Sequence, residues 1–286
     1  MVTESATREA RRTTAGRSTG EPQFLHVARF ELLRHFRRRR FLILLIIAAL
    51  FVVLLIVVLQ VFGTGGGDAY SYASSYGTWV TILAALAATF FGADALVGEF
   101  EHQTGYLLFP QPVTRTSIFL GKLLAAFALT TFTLSAYYGV VAAATGIVKG
   151  SVPVEIGYSF LLAVLYSTAA LGIAFFLSSA LRSTTMASVM TFALLFFILA
   201  IVSTVFTVAG LRPDGDLSFA GGTISNILTG PYPDHYPADS TIAFGPGARF
   251  TVYVPAVPVS IAVMAIWAVV GFGLAWLLYQ RREMKG

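Results

Sequence analysis

The chain has 286 residues, of which 56% are hydrophobic and only 12% are charged. Soluble domains are typically about 45–50% apolar and about 25% charged, so this composition excludes an ordinary soluble domain and indicates a protein that crosses the membrane several times. The sequence contains no cysteine, which excludes disulfides and cysteine catalysis, and its net charge of +5 is better explained by membrane topology than by nucleic-acid binding, so we expect no nucleic-acid partner.

The N-terminal part of the chain contains two different patterns. Residues 1–22 are rich in Arg, Ser, Thr and Gly, and we expect a disordered cytoplasmic tail there. From Gln23 to Arg40, apolar residues recur at helical spacing and are followed by the basic run Arg37–Arg40. This pattern predicts an amphipathic helix that lies on the inner membrane surface. The alternative is a plain run of positive charge that fixes the orientation of the chain.

The rest of the chain, residues 23–286, is interpreted as one membrane domain. Its apolar segments are long enough to cross a hydrocarbon core of about 30 Å. We predict an all-α polytopic protein with six transmembrane helices, at about 41–62, 79–97, 119–148, 156–181, 186–209 and 254–279. Tyr76 and Trp79 are expected to anchor the outer end of the second helix at the membrane interface.

The distribution of basic residues indicates the orientation of these helices. If both termini are cytoplasmic, nearly all Lys and Arg residues fall on inner segments, and the outer loops hold only Lys149, Arg212 and Arg249. Positively charged loops are retained on the cytoplasmic side. We therefore expect a multi-pass protein of the cell membrane with both termini in the cytoplasm.

Asp94 is the only acidic residue well within a predicted span. An intramembrane carboxylate is a functional candidate by default, and a proton-coupled carrier would use one. Asp94 also lies about one helical turn before Glu99, so a structural role is the favoured interpretation. In that role it reaches water at the inner leaflet or pairs with Arg115.

The polar segment Gly98–Lys122 separates the second and third predicted spans. Glu99 and Glu101 precede the apolar cluster Tyr106–Phe109, and Pro110 and Pro112 end the helix. An exposed apolar cluster indicates contact with a partner or with the membrane. The segment therefore predicts a short, compact helix on the cytoplasmic side. A solvated loop whose carboxylates face water is the alternative.

The last outer loop, residues 210–253, is rich in Gly, Pro and aromatic residues. A connection of this length is either functional or disordered more often than it is an ordinary loop. The composition leaves two interpretations open, an ordered lid over the outer mouth or a solvated loop. We assign no role to His235 in this loop.

The sequence lacks the motifs of the common hydrolases. Gly121 and Lys122 are followed by Leu123 and have no P-loop glycine at the required position. No zinc-protease or serine-hydrolase motif is present. We therefore expect no catalytic residue, no metal site and no cofactor on this chain, and we expect any ATP hydrolysis, with its Mg²⁺, to take place on a partner.

The order of residues around the polar segment resembles the permease subunit of type-2 ABC exporters. The matching positions are Glu99, Glu101, Thr104, Gly105, Leu107, Leu108, Pro112, Arg115, Gly121 and Lys122. The six-span plan, the amphipathic N-terminal helix and the large last outer loop are also similar, so the resemblance covers nearly the whole chain after about residue 23. The N-terminal tail and the absence of cysteine from the outer loop depart from the pattern of some relatives.

The resemblance implies a cytoplasmic coupling helix between spans 2 and 3 that docks into a separate ATPase subunit. The residues expected to contact the ATPase are Glu99, Glu101, Thr104, Gly105, Tyr106, Leu107, Leu108 and Phe109. The residues expected to support the coupling segment are Pro112, Arg115, Gly121 and Lys122. Asp94 is retained as a candidate intramembrane charge.

These observations predict the membrane-spanning permease subunit of an ATP-driven ABC transporter. We expect two ATPase subunits, a second permease copy or close paralogue, surrounding membrane lipids, and export of an amphipathic or lipid-like substrate. Two alternatives remain: a secondary carrier or channel that needs no partner, and a non-transporting membrane anchor for an ATPase.

Overall fold

The computed structural model describes residues 23–36, 67–98, 114–243 and 249–281, together with eight positions between 43 and 58. Across these residues the fold is almost entirely helical, and five helices are long and apolar enough to cross a membrane. Of the predicted first span, 41–62, only those eight positions are described. The predicted coupling helix, within 99–113, lies outside the described residues.

The elements are numbered in chain order. Helix α1 spans Gln23–Phe36, within the predicted amphipathic segment. The helices long enough to cross a membrane are α2 (Ala69–Gly92), α3 (Arg115–Lys149), α4 (Glu155–Ala180), the composite helix Thr184–Val208 and α9 (Val257–Arg281). The composite helix consists of α5 (Thr184–Ala193), a π-helical segment (Leu194–Ile198) and α6 (Leu199–Val208). Between it and α9 lie α7 (Leu217–Gly221), α8 (Thr223–Asn226) and the antiparallel strands β1 (Ser240–Ala243) and β2 (Arg249–Val252).

Helix α2 begins well before the predicted second span. Asp68 caps its first turn by accepting a hydrogen bond from the backbone N–H of Ser71 at 3.0 Å. Tyr72 and Tyr76 then pack inside the bundle, and the Tyr76 hydroxyl donates to the Tyr72 hydroxyl at 3.0 Å. The expectation that Tyr76 anchors the helix at the membrane interface is therefore wrong, because its hydroxyl is satisfied by another buried tyrosine.

Helix α3 is longer than a membrane span requires. Thr114 caps its start, and Gly150 ends it in the left-handed conformation with φ of 73°. Its 35 residues give a length of about 50 Å at 1.5 Å per residue, against about 30 Å of hydrocarbon. The helix is therefore longer than the hydrocarbon is thick, and its first turns lie against α1, where Gly121 meets Val27.

Small residues allow the central helices to pack closely. A Cβ atom at Gly271 of α9 would lie 2.6 Å from the backbone carbon of Gly172 in α4. A Cβ atom at Gly92 of α2 would lie 2.7 Å from the Cβ of Ala174, also in α4. Helix α4 is thus in near-backbone contact with both neighbours, as is typical of membrane helices that associate through small residues.

The described residues of the 210–253 loop pack onto the end of the bundle opposite to Thr114. Leu217 and Ile224 are fully buried there. The Ser159 hydroxyl on α4 donates to the carbonyl of Ile224 at 2.6 Å, and the indole N–H of Trp267 on α9 donates to the carbonyl of Gly215 at 3.1 Å. These contacts form an ordered cap rather than a solvated loop.

Candidate functional site

The residues expected to contact the ATPase, Glu99 to Phe109, lie outside the described residues, and so does Pro112. The structure does describe both places where this segment joins the bundle, at Gly98 and at Thr114. It also describes Asp94, Arg115, Gly121 and Lys122. The candidate site is therefore built from the residues that hold the two ends of segment 99–113.

The first end of the segment is attached to α4. After α2 the chain turns through residues 93–98, and Leu96 and Val97 are fully buried in this turn. Their backbone N–H groups donate to the hydroxyl oxygen of Ser178 at 3.0 and 3.1 Å. One hydroxyl near the C-terminal end of α4 therefore satisfies two backbone donors that no helix satisfies.

The second end of the segment is attached to α9. Thr114 accepts a hydrogen bond from the backbone N–H of Ser117 at 3.2 Å and so fixes the first turn of α3. The guanidinium of Arg115 donates to the carbonyl of Gln280 at 3.2 Å. Gln280 lies in the last turn of α9, where helix carbonyls lack partners within the helix. Arg115 therefore joins the start of α3 to the end of α9.

Lys122 joins three parts of the fold. Lys122 is only 7% exposed. Its Nζ donates a hydrogen bond of 2.8 Å to the carbonyl of Ala95, which lies in the turn after α2. The same Nζ lies 3.1 Å from Oε1 of Glu31 on α1. Lys122 therefore links α3 to the turn that precedes segment 99–113 and also to α1.

The charges around Glu31 balance the cost of burying its carboxylate. Glu31 is 6% exposed, and Arg34 lies 3.1 Å from the same oxygen. Burial alone would raise the pKa of Glu31, but the positive charges of Lys122 and Arg34 outweigh it and lower the pKa below its ordinary value. The carboxylate is therefore ionised at neutral pH, and the contact is an ion pair.

Gly121 allows α1 to lie directly on α3. A Cβ atom at this position would lie 2.6 Å from the Cβ of Val27 and 2.9 Å from the carbonyl oxygen of Phe24. No residue with a side chain fits at that distance without a shift of α1. The Gly121–Lys122 pair thus has a local explanation, because glycine permits the close crossing and lysine pairs with the glutamate that the crossing brings near.

The candidate intramembrane charge, Asp94, lies just beyond the C-terminal end of α2. Helix α2 ends at Gly92, so Asp94 follows it in the turn, and the residue is half-buried. Its carbonyl accepts a hydrogen bond from the N–H of Gly98 at 3.2 Å. The last residues of the predicted second span therefore form a turn instead of continuing the helix, and the role of Asp94 as an intramembrane charge stays a prediction.

A cavity of about 490 Å³ lies between α2 and α5. Its described lining combines apolar and hydroxyl side chains without a charge: Leu86, Thr89, Phe90, Thr184, Thr185, Ser188, Val189 and Phe192. The cavity lies at the same end of the bundle as segment 99–113, since a Cβ atom at Gly98 would lie 3.7 Å from the Cγ2 of Thr184.

Comparison with known proteins assigns the chain to a family. Residues 25–284 match the family described as ABC-2 family transporter protein. The chain belongs to this family. No curated protein matches it. Because the match includes almost every residue after the N-terminal tail, this ABC-2 transporter protein is a multi-pass membrane permease, and the family implies an ABC ATPase subunit as partner.

Sequence reasoning missed Glu31 as a member of the site of this ABC-2 transporter protein. The helical pattern of 23–40 was defined by its apolar residues and its basic run, and Glu31 was given no role. Glu31 nevertheless follows the buried Ala28 by three residues and so shares its face of the helix. An acidic residue on the apolar face was the available signal, but its partner Lys122 is distant in sequence.

Proposed function

We propose that this chain is the permease subunit of an ABC exporter, driven by two copies of a separate ATPase subunit and paired with a second permease copy or a close paralogue. In this arrangement both termini are cytoplasmic, ATP and Mg²⁺ bind on the ATPase, and segment 99–113 forms the helix that docks on it. The observation that carries the proposal is the attachment of both ends of this segment to four helices of the bundle.

These attachments give a route for movement from the ATPase to the membrane helices. Closure of the ATPase on ATP displaces segment 99–113. The displacement reaches α4 through Ser178, and it reaches α9 through Arg115. It reaches α1 and α3 through Lys122. The free energy of ATP binding then shifts the bundle between inward-open and outward-open arrangements.

The cavity between α2 and α5 supports an uncharged or amphipathic substrate. Phe90 and Phe192 offer apolar surface, while Thr185 and Ser188 offer hydroxyl groups. Ligand sites of this kind are mainly apolar and orient the ligand with a few polar groups. A substrate with a lipid-like body and a small uncharged polar group fits this lining better than an ion does.

Substitution within the docking segment tests the proposal. The permease and its ATPase are reconstituted together in vesicles, and ATP hydrolysis, co-purification and substrate export are measured. Glu101→Ala combined with Leu108→Ala is expected to reduce co-purification and stimulation of ATP hydrolysis at least several-fold, because the docking helix loses a charge and an apolar contact. Membrane insertion is expected to be unchanged.

Leu211→Ala is the matched control, since Leu211 is exposed at the opposite end of the bundle. Undiminished docking of the Glu101→Ala, Leu108→Ala variant would contradict the coupling assignment. Transport by the purified permease without any ATPase would instead favour a carrier or channel. ATPase binding without movement of any substrate would favour a membrane anchor.

A further inference from the structure

A second cavity, of about 380 Å³, lies at the end of the bundle opposite to segment 99–113. Its walls include a guanidinium, a carboxylate, two phenol rings and two prolines: Arg212, Asp239, Tyr232, Tyr236, Pro233 and Pro237. This composition differs from that of the α2–α5 cavity, whose described lining contains no charge. The two cavities therefore suit different ligands.

The polar wall of this cavity is fixed by a network of short contacts. Arg212 Nη1 lies 2.8 Å from Asp239 Oδ2, and its Nε lies 2.8 Å from Asp214 Oδ1. Asp239 Oδ1 also accepts from the N–H of Val254 at 2.7 Å. A wall that is already ordered does not need to lose further conformational entropy when a ligand binds.

The aromatic wall has two rings at right angles. The ring centroids of Tyr232 and Tyr236 are 5.9 Å apart, and the ring planes meet at 89°. Tyr236 is held in place because its hydroxyl donates to the carbonyl of Pro255 at 2.6 Å, while Tyr232 is 38% exposed. Burial raises the pKa of Tyr236 to about 12, so the ring stays neutral at physiological pH. The faces of such rings carry partial negative charge.

The charges around the cavity favour a cation over an anion. Arg212 and Asp239 both line the cavity, and Asp214, outside the lining, also binds the guanidinium of Arg212, so this cluster of three described residues carries one excess negative charge. A cation with an apolar surface is favoured by both the cluster and the aromatic faces. A quaternary ammonium group has this combination of properties, since it is positively charged and is covered by methyl groups.

We propose that this cavity binds a quaternary ammonium group, either from a free ligand or from the headgroup of a choline lipid. The ammonium group lies against Tyr232 and Tyr236, and Asp239 provides the nearest carboxylate. Binding at this end of the bundle is separate from ATPase docking. It therefore does not depend on the function proposed above.

A comparison of two nearly isosteric probes tests the proposal. The intact chain is placed in nanodiscs of phosphatidylethanolamine and phosphatidylglycerol, which lack a quaternary ammonium group. Choline and its uncharged analogue 3,3-dimethylbutanol are titrated separately, and binding is followed by saturation-transfer NMR. Choline is expected to bind at least about tenfold more tightly than the alcohol, because only choline gains from the aromatic faces and the carboxylates. Equal binding, or no binding of choline, would overturn the proposal.

Two substitutions at Tyr232 separate the aromatic contribution from simple filling of the cavity. Tyr232→Leu keeps an apolar side chain but removes the π face, and it is expected to weaken choline binding about five- to thirty-fold. Tyr232→Phe keeps the ring and is expected to bind as the native chain does. Circular dichroism checks that both variants fold. Unchanged choline binding in Tyr232→Leu would contradict the aromatic assignment.

A change of lipid distinguishes the two sources of the ammonium group. In nanodiscs of phosphatidylcholine, a lipid headgroup that occupies the cavity competes with free choline, so choline's apparent Kd rises. An unchanged Kd assigns the cavity to a soluble ligand. Both results follow from ammonium binding at this cavity, and the comparison of choline with its uncharged analogue decides whether such binding occurs.

Discussion

The ion pair between Glu31 and Lys122 is buried between α1 and α3. Both residues are less than a tenth exposed, and their charged atoms are 3.1 Å apart. Removal of one partner from a buried pair leaves an uncompensated charge and costs about 3–5 kcal/mol. The contact also connects α1 to α3, so its loss affects the packing of both helices.

We expect Lys122→Met to lower the free energy of unfolding by about 3 kcal/mol, because Glu31 and the carbonyl of Ala95 both lose their partner. Glu31→Gln combined with Lys122→Met is expected to be less destabilised than the sum of the two single variants. Unfolding of the detergent-solubilised chain measures both effects. Arg34→Ala is the control, since Arg34 is on the exposed side of the same cluster and its loss is expected to cost under about 1 kcal/mol. Strictly additive single effects would show that the pair is not coupled.

The lowered pKa of Glu31 predicts how stability changes with pH. A carboxylate whose pKa is lower in the folded state contributes stability above its unfolded pKa, and this stability is lost as pH falls through the folded pKa. We expect the native chain to lose more stability than Glu31→Gln when the pH falls from about 7 to about 3. Thermal unfolding midpoints measured across this range give the comparison. If the unfolding midpoints of the native chain and of Glu31→Gln changed with pH in the same way, the ion-pair assignment would be contradicted.

At the level of elements, the crossing of α1 over α3 depends on Gly121. We expect Gly121→Ala to destabilise the chain by about 1–3 kcal/mol, because the new methyl group overlaps Val27 and the backbone of α1. Gly139→Ala is a control in the same helix, since no atom lies within 4 Å of its added Cβ. That control is expected to be neutral or stabilising by up to about 1 kcal/mol. Both stabilities are measured by thermal unfolding. If Gly121→Ala lost less stability than Gly139→Ala, the close crossing of α1 over α3 would be refuted.

The π-helical segment Leu194–Ile198 interrupts the composite helix Thr184–Val208, which is the least buried of the described helices that are long enough to cross a membrane. The N–H of Leu199 bonds to the carbonyl of Leu194 across one more residue than in an α-helix. Such bulges are frequent at functional sites. The π-helical segment contains one residue more than a regular α-helical turn would. Deletion of Phe197 removes this extra residue and is expected to restore a continuous α-helix in which α5 and α6 keep their relative orientation. We expect such a variant to insert and fold, but to export substrate several-fold more slowly in the reconstituted system if the bulge permits bending. Native export rates would show that the bulge has no role in transport.

Some helix boundaries were predicted closely from the sequence, because residues next to the helix ends mark them. Helix α4 was predicted at 156–181 and spans Glu155–Ala180, because Pro153 and Arg182 mark its two ends. The start of α2 was missed because its first turns are rich in Ser and Tyr and look like a loop. Their tyrosines are satisfied by one another inside the bundle, which composition alone does not reveal.

At the level of the whole molecule, the family resemblance read from residues 98–122 is confirmed by the match over residues 25–284. The attachments of the site could not be predicted in the same way. Lys122 pairs with Glu31, Arg115 bonds to Gln280, and the turn after α2 bonds to Ser178. Each of these contacts joins residues that are far apart in the chain, and no local pattern encodes them.

Site-specific cross-linking tests most directly whether segment 99–113 docks on an ATPase. The native chain has no cysteine, so Leu108→Cys provides a unique attachment point for a photoreactive maleimide, and Ala238→Cys provides a control at the opposite end of the bundle. In the assembled complex, we predict that the probe at position 108 forms a cross-link to the ATPase subunit and the probe at position 238 does not. A cross-link from position 238 alone, or labelling of position 108 by a membrane-impermeant reagent added outside intact cells, would contradict the account.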